Sequence, residues 1–337
     1  MTVPSSSNEP PPKSNLIASG ASQIDPVNAV LAQEEVSALA IISEIEGPSY
    51  RPIGAMMAIP SVGPCVGNLS SGCIEADIAV HAREALQTGK PKRVRYGRGS
   101  PYIDIQLPCG GGLEILVVPN PDTNVLSSLS KLHGERIECA LEVSRDEGTL
   151  ALCDMDLQSD AALLRVRFRP EIKFLVFGKG PEAVTFAGMV ETAGYPNELW
   201  SPDTETLVAA ERLGCPTQQM FQTKELPELS ADPRTAIALF FHDHDWEPPI
   251  LKAALDTPAF YIGAQGSKKA QAERLRTLYN LGISEESLSR LKGPIGLIPS
   301  VRDPRTLAVS VLAEILSFDR EVDRRVRVPM TRAAAEK

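Results

Sequence analysis

The 337-residue chain has six cysteines and no C-x-x-C pair among them. Cys65, Cys73, Cys109, Cys139, Cys153 and Cys215 are scattered, which argues against both a disulfide scaffold and a zinc site built from close pairs. Reduced thiols are expected. Basic charge is also short: 34 Lys and Arg stand against 43 Asp and Glu, a formal net charge of -9. The molecule as a whole is therefore repelled by nucleic-acid phosphates and by anionic lipid, and neither nucleic acid nor membrane is expected as a partner. Met1 to Ser14 lacks both a basic start and an apolar run and is rich in Pro, Ser and Asn. It reads as neither signal peptide nor membrane anchor but as a mobile tail, and the protein is expected in the cytoplasm. No internal repeat is visible.

At 43% hydrophobic and 23% charged, the composition is that of a globular protein long enough for two cores. After a tail over residues 1–24, Val27 to Glu44 predicts one amphipathic helix, with Val27, Val30, Leu31, Val36, Leu39 and Ile42 largely on one side. Between Gly47 and Pro119 glycines punctuate short apolar runs at Met56–Ile59, Ile103–Leu107 and Leu113–Val118, around a helix from Cys73 to Gln87. Strand-like runs at Ile137–Val143 and Leu163–Phe168 follow, and Pro170 then interrupts. Beyond it, strands at Phe174–Phe177, Glu198–Trp200, Thr235–Phe241 and Ala259–Ile262 alternate with helices ending at Ala193, opening at Glu247, near Lys269–Leu281 and from Pro304 to Leu316. Such alternation predicts a parallel sheet covered on both faces. The expected fold class is α/β: a small glycine-rich domain over residues 25–169, a Rossmann-like parallel-sheet domain over 170–320, and a tail over 321–337.

The second domain opens with a strand and Gly178-Lys179-Gly180-Pro181-Glu182-Ala183, a G-x-G-x-x-A turn that lets a phosphate approach a helix N-terminus. The dinucleotide fingerprint is incomplete, because no carboxylate ends the second strand at Trp200–Ser201 and Asp203 lies two residues beyond. The competing reading is glycine used for close packing. In a doubly wound sheet, ligands bind beyond the carboxyl ends of the strands, which here deliver Gly178–Gly180, His242–Asp245, Gly263–Lys268 and Gly296–Asp303. His242 and His244 suit hydrogen bonding to a ligand, or a solvated loop, better than a metal that lacks a third ligand.

In the first domain Gly47–Met56, Gly67–Glu75 and Pro108–Gly112 concentrate glycine. Ser70, Ser71 and Gly72 lead into a helix whose buried stripe is Ile74, Ile78, Ala82 and Ala85, so its start is a candidate anion seat. Cys109, between a proline and three glycines, could hold a soft metal centre or persulfide; a small buried hydrophobe is the plainer reading of this thiol and of Cys73. Lys90, Lys92, Arg93, Arg95 and Arg98 form a basic cluster that reads as a ligand or partner contact, or as solvated surface. Met56 and Met57 read as core.

These segments together resemble the xanthine dehydrogenase accessory proteins, the XdhC/CoxI family of molybdenum cofactor chaperones, from about Leu31 to Leu316. Ser49–Met56 is similar to the family's serine, proline, arginine, proline, glycine segment, with Tyr50 where a proline is common. Val66–Glu75 is similar to its G-G-C-[VI]-E segment and Cys109-Gly110-Gly111 to its C-G-G. Phe241–Asp245 resembles its T-H-D-H, Tyr261–Lys268 its Y-I-G-x-x-G-S-[RK], Pro294–Leu297 its P-I-G-L, and Ala308–Glu314 its A-x-S-x-x-A-E-I. The chain departs at Pro181, where many relatives have histidine, and at Ser70 and Ser71, which replace glycines. Both departures suggest a subfamily serving an aldehyde oxidoreductase.

The resemblance implies a carrier and not a catalyst. It implies binding of molybdenum cofactor, as molybdopterin or its cytosine dinucleotide form, through Arg51, Gly54, Gly67, Ser70, Ser71, Gly72, Cys73, Glu75, Cys109, Gly110 and Gly111, and through His242, His244, Gly266, Ser267 and Lys268. Cys109 is the candidate molybdenum contact, and both sets are expected to serve one seat. The implied partners are a molybdenum hydroxylase apoenzyme and a cysteine desulfurase, and the implied state is a homodimer. Three alternatives remain at this point: an NAD(P)-dependent oxidoreductase, a cytidylyltransferase acting on the same cofactor, and a structural partner of the client enzyme that never touches cofactor.

Overall fold

The chain divides into two compact units, Met1–Pro170 and Glu171–Lys337. The computed structural model describes residues 22–33, 35–70, 72–100, 107, 110–153, 160–221, 228–242 and 245–327, with side chains followed to 319.

The first unit runs α1 (Asp25–Leu31), β1 (Ser37–Glu46), β2 (Met56–Pro60), β3 (Val66–Gly67), α2 (Glu75–Thr88), β4 (Lys92–Gly97), β5 (Gly112–Pro119), α3 (Thr123–Gly134), β6 (Cys139–Ser144), β7 (Leu150–Cys153) and β8 (Leu163–Phe168). Five strands form an antiparallel sheet in the order β3-β2-β1-β5-β4, and three more pair antiparallel as β7-β6-β8. The single helix expected over Val27–Glu44 is corrected by this arrangement to a short helix and the central strand. Val36, Leu39 and Ile42 fall three apart and so mimic a helical stripe. Ser37 to Ser43 is in fact buried throughout. Ala38, Ala40 and Ile42 pack with α2, while Leu39 and Ile41 pack with α1, α3 and the smaller sheet. A run covered on both faces carries no polar alternation to mark it as strand.

The expected stripe of Ile74, Ile78, Ala82 and Ala85 is buried against this sheet. Three residues of the basic cluster lie on an edge strand: Val94 and Tyr96 of β4 turn inward, Arg93 and Arg95 alternate to the other face, and Lys92, on the inward side, reaches His81 and Glu84 of α2. Arg95 pairs with Glu46 and Arg98 lies 3.7 Å from it, on a sheet edge where charge deters pairing with another chain. The strand expected at Ile103–Leu107 falls mostly outside the described residues.

The second unit runs β9 (Lys173–Gly178), α4 (Pro181–Thr192), β10 (Asn197–Ser201), α5 (Thr204–Glu211), β11 (Thr217–Gln219), β12 (Thr235–Phe240), α6 (Glu247–Leu255), β13 (Tyr261–Ala264), α7 (Lys268–Asn280), α8 (Glu285–Ser289), β14 (Leu291–Lys292) and α9 (Pro304–Arg327). Its six strands are all parallel, in the order β11-β10-β9-β12-β13-β14. Numbered within the unit this is 3-2-1-4-5-6, the doubly wound Rossmann order, and the order reverses between β9 and β12. Alternate residues of β9 sort to the two faces: Phe174 and Val176 meet α4 and α9, Leu175 and Phe177 meet α6 and α7. The last helix extends past the expected end at Leu316 to Arg327. Among the described residues no helix is long and apolar enough to cross a membrane.

One buried ion pair fixes the loops that follow β12 and β13. Glu247, 1% exposed, accepts from both Nε and Nη2 of Arg274 at 2.9 Å. Arg274 also donates to Gln265 O at 2.8 Å and Gln271 Oε1 at 2.6 Å. Removing one partner strands a charge inside the protein, which costs about 3–5 kcal/mol. Arg274→Met and Glu247→Leu are each expected to lose that much in urea unfolding of the second unit's transition. The double variant is expected to lose less than the sum, and additivity of the two losses would contradict the coupling.

Candidate functional site

Three glycine-rich segments meet in the first unit. The chain leaves β1 at Gly47 and returns at Ala55, with Gly54 N donating to Ile42 O at 2.8 Å. Within this turn the Ser49 hydroxyl donates to Arg51 O at 2.7 Å, so the loop is held from inside. Arg51 then reaches out, its Nε 3.3 Å from Asn68 Oδ1 on the second segment. Gly67 begins that segment with a φ of +104°, and a Cβ there would stand 2.3 Å from Met56 O. The third segment ends at Gly111, where a Cβ would stand 2.0 Å from Pro48 O. Only a residue without a side chain lets the segments approach this closely.

Glu75 organises the second segment. Its Oε1 accepts from Leu69 N at 3.0 Å and Ser70 N at 2.7 Å, and its Oε2 from Ser70 Oγ at 2.8 Å and Ile74 N at 3.1 Å. The buried Ser70 hydroxyl in turn accepts from Cys73 N and Ile74 N, both at 3.1 Å. Of the donors before the helix start read as an anion seat, those of Leu69, Ser70, Cys73 and Ile74 are taken by Ser70 and by the chain's own carboxylate. Burial pushes the Glu75 carboxyl up, but the hydrogen bonds from Ser70 and Leu69 outweigh it and hold the group below the ordinary value of 4.5.

Among the described residues, what this loop set offers a ligand is the guanidinium of Arg51, the thiol of Cys73 and apolar surface. Arg51 is half-buried, Cys73 and Gly72 are exposed, and Tyr50 and Ile53 are 61% and 52% exposed. Cys73 is the exposed thiol among the described cysteines, while burial pushes the Cys65, Cys139 and Cys215 thiols up from their ordinary value. Gly54 is buried and Gly110 is exposed. Ser71, Cys109 and His244 lie outside the described residues.

In the second unit the turn after β9 and the end of β12 lie together where the strand order reverses, and Lys179 N donates to Phe240 O at 3.1 Å. Gly180 N donates to Thr206 Oγ1 at 2.9 Å, and Thr206 Oγ1 donates to Asp203 Oδ2 at 2.5 Å. The Thr206 hydroxyl and amide hold the Asp203 carboxyl below its usual range, with Lys179 Nζ 3.9 Å away. Pro181 brings no N–H, and Glu182 brings a negative charge to the first turn of α4. A pyrophosphate finds the Gly180 donor taken and the Pro181 donor missing here.

His242 is exposed at the end of β12, its Nε2 3.4 Å from Glu182 Oε2. Ser267 serves as the N-cap of α7, accepting from Ala270 N at 3.1 Å, with Gly266 and Lys268 exposed beside it. The segments at Gly296 and Ser310 are tied together: Ser310 Oγ accepts from Ile298 N at 2.7 Å, while Glu314 accepts from Tyr261 OH at 2.7 Å and from Gly296 N. Among the described residues no group of three His, Cys, Asp or Glu side chains comes together as a metal site. Sequence reading missed Glu182 and Thr206 as parts of this edge. The signals were present in the carboxylate two residues after Gly180 and in the D-x-x-T spacing that caps α5.

Comparison with known proteins adds a second line of observation. Residues 174–315 match the family profile described as the XdhC Rossmann domain, and residues 30–97 match that of the XdhC and CoxI family. The molybdenum cofactor insertion chaperone PaoD of Escherichia coli (strain K12) is 31% identical over 281 residues, 83% of this chain and 82% of that protein. A probable xanthine dehydrogenase subunit of Bacillus subtilis (strain 168) is 22% identical over 334 residues, 88% of this chain and 97% of that one. A crystal structure described as a xanthine dehydrogenase from Bacillus halodurans shares the fold, with a TM-score of 0.71 at 20% identity, covering 93% of this chain and 98% of that chain.

Two outcomes follow from the geometry. Glu75 has a lowered folded-state carboxyl, so its contribution is present above the ordinary value of 4.5 and is lost as pH falls through the folded value. Glu75→Gln is expected to cost about 1–3 kcal/mol and to speed hydrogen exchange at Leu69, Ser70 and Ile74, as acidification does in the wild type. Equilibrium dialysis with NADH is expected to show no saturable binding into the millimolar range; micromolar binding would contradict the reading of the Gly178–Gly180 turn.

Proposed function

Because the chain belongs to the XdhC and CoxI family, we propose that it carries molybdenum cofactor to a molybdenum hydroxylase apoenzyme and is not itself a catalyst. The observation that carries this reading is the 31% identity, over most of both chains, to a protein named as a molybdenum cofactor insertion chaperone. In the finer form of the proposal, the protein binds the mature cofactor, shields it from water and oxygen, supports its terminal sulfuration by a cysteine desulfurase, and releases it to a client of xanthine dehydrogenase or aldehyde oxidoreductase type. The cytosine dinucleotide form of the cofactor, a homodimeric state and a cytoplasmic location belong to the same proposal.

The cargo is an anionic pterin with a soft, sulfur-bound metal. A guanidinium suits its phosphate through charge-assisted hydrogen bonds, and a thiol suits the metal. Arg51 and Cys73 are the described groups of these kinds in the first unit's loop set, and Cys109 is the further candidate thiol. The capped turn of the second unit weighs against the oxidoreductase alternative, which needs a seat for a dinucleotide pyrophosphate.

The deciding experiment is anaerobic incubation of the purified chain with freshly released molybdenum cofactor, followed by ultrafiltration and fluorescence of the oxidised pterin. Stoichiometric retention is expected for the wild type. Arg51→Ala is expected to weaken it roughly tenfold, the scale of one charge-assisted hydrogen bond, and Cys109→Ala to abolish it if that thiol meets the metal. Wild-type protein that retains nothing would sink the carrier reading and leave the structural-partner alternative.

A further inference from the structure

At the strand-order reversal of the second unit, Glu182 is 16% exposed and its Oε2 is shut off from solvent without a hydrogen bond among the described residues. Its neighbour there is Nε2 of His242, 3.4 Å away, on a ring that is itself 68% exposed. A carboxylate oxygen buried without a donor is costly and calls for an explanation beyond packing, because burial withdraws the water that would otherwise bond it. The described groups around it limit what could supply the donor. Gly180 N is already held by Thr206 and Pro181 has no N–H, so neither residue of the turn reaches back to the carboxylate as a capping donor. An anionic ligand would meet Glu182 charge to charge. A ligand presenting two adjacent N–H groups would satisfy both oxygens at once, in the bidentate geometry that carboxylates favour.

We propose that Glu182 reads the amino and imino edge of a 2-amino-4-oxo pyrimidine-type ring, with the exposed His242 side chain yielding its place over the carboxylate to the ligand. This deepens the carrier reading, on which it rests for the identity of the ring: the pterin of the cofactor has such an edge, with a 2-amino group beside N3–H. The Rossmann crevice then serves recognition of a heterocycle's donor edge in place of recognition of a phosphate. Specificity follows from the mismatch an analogue would create. Lumazine, which carries a 2-oxo group where pterin has the amino group, would set a carbonyl oxygen against the carboxylate. Sites built to hydrogen-bond a substrate N–H reject the analogue that lacks it strongly, because the protein group is left unpaired.

The test is fluorescence titration of the full-length protein with pterin and with lumazine, neither of which carries molybdenum, dithiolene or phosphate. The wild type is expected to bind pterin at least about tenfold more tightly than lumazine. Glu182→Gln keeps the side chain's shape but offers one acceptor and one donor, the complement of lumazine's carbonyl and N3–H. It is therefore expected to weaken pterin about tenfold and to shift the preference toward lumazine, a reversal that loss of structure would not produce. Equal affinity of the wild type for the two rings, no binding of pterin, or a preference unchanged in Glu182→Gln would each overturn the proposal. Cofactor retention by the same preparation separates the two readings. Retention without ring discrimination removes the role of Glu182 and leaves the carrier standing; ring discrimination without retention does the reverse.

Discussion

A backbone N–H taken out of water needs an acceptor, and at both candidate sites the chain supplies that acceptor from its own side chains. Glu75 and Ser70 collect the backbone donors of Leu69, Ser70, Cys73 and Ile74 in the first unit, and Thr206 collects Gly180 in the second unit's turn. Everything else about the sites depends on this prior claim. These loops are tied partly to themselves, and among the described residues what projects from them is side-chain chemistry: Arg51 and Cys73 from one unit, Glu182 and His242 from the other. The glycines at positions 67 and 111 permit the close approaches that make this self-capping possible.

The sheet of the second unit was legible because its helices and strands alternate with clear breaks, and its parallel order follows from that alternation. The first unit was harder. Its central strand is buried on both faces, so the residues between Ser37 and Ser43 carry no polar marks, and an accidental spacing of three made them look helical. The strand from Lys92 to Gly97 was hidden for the opposite reason, since its outward Arg93 and Arg95 drew the eye away from Val94 and Tyr96 on the other face. The residues of the candidate sites were visible as glycine, serine and charge in loops that each unit's fold brings together. Which donors those loops keep free was not, because a hydrogen bond from a side chain six residues away leaves no periodic trace.

Two side-chain networks of the second unit have a structural role. Ser310 and Glu314, one helical turn apart on α9, hold the backbone at Gly296 and Ile298 and reach Tyr261 on β13. Arg274, midway along α7, binds the start of α6 at Glu247 to the loop at Gln265. Such buried, fully hydrogen-bonded networks set where loops lie, so that the exposed groups between them hold a defined geometry.

Glu75 has one more consequence, which concerns letting go. A loop that folds around a cargo stores part of its own stability in that cargo, and must unravel again to give it up. Glu75 holds Leu69, Ser70 and Ile74 from within the chain. On the carrier reading proposed above, loading then orders these residues little and unloading disorders them little, so the barrier to handover is set by the contacts to the passenger.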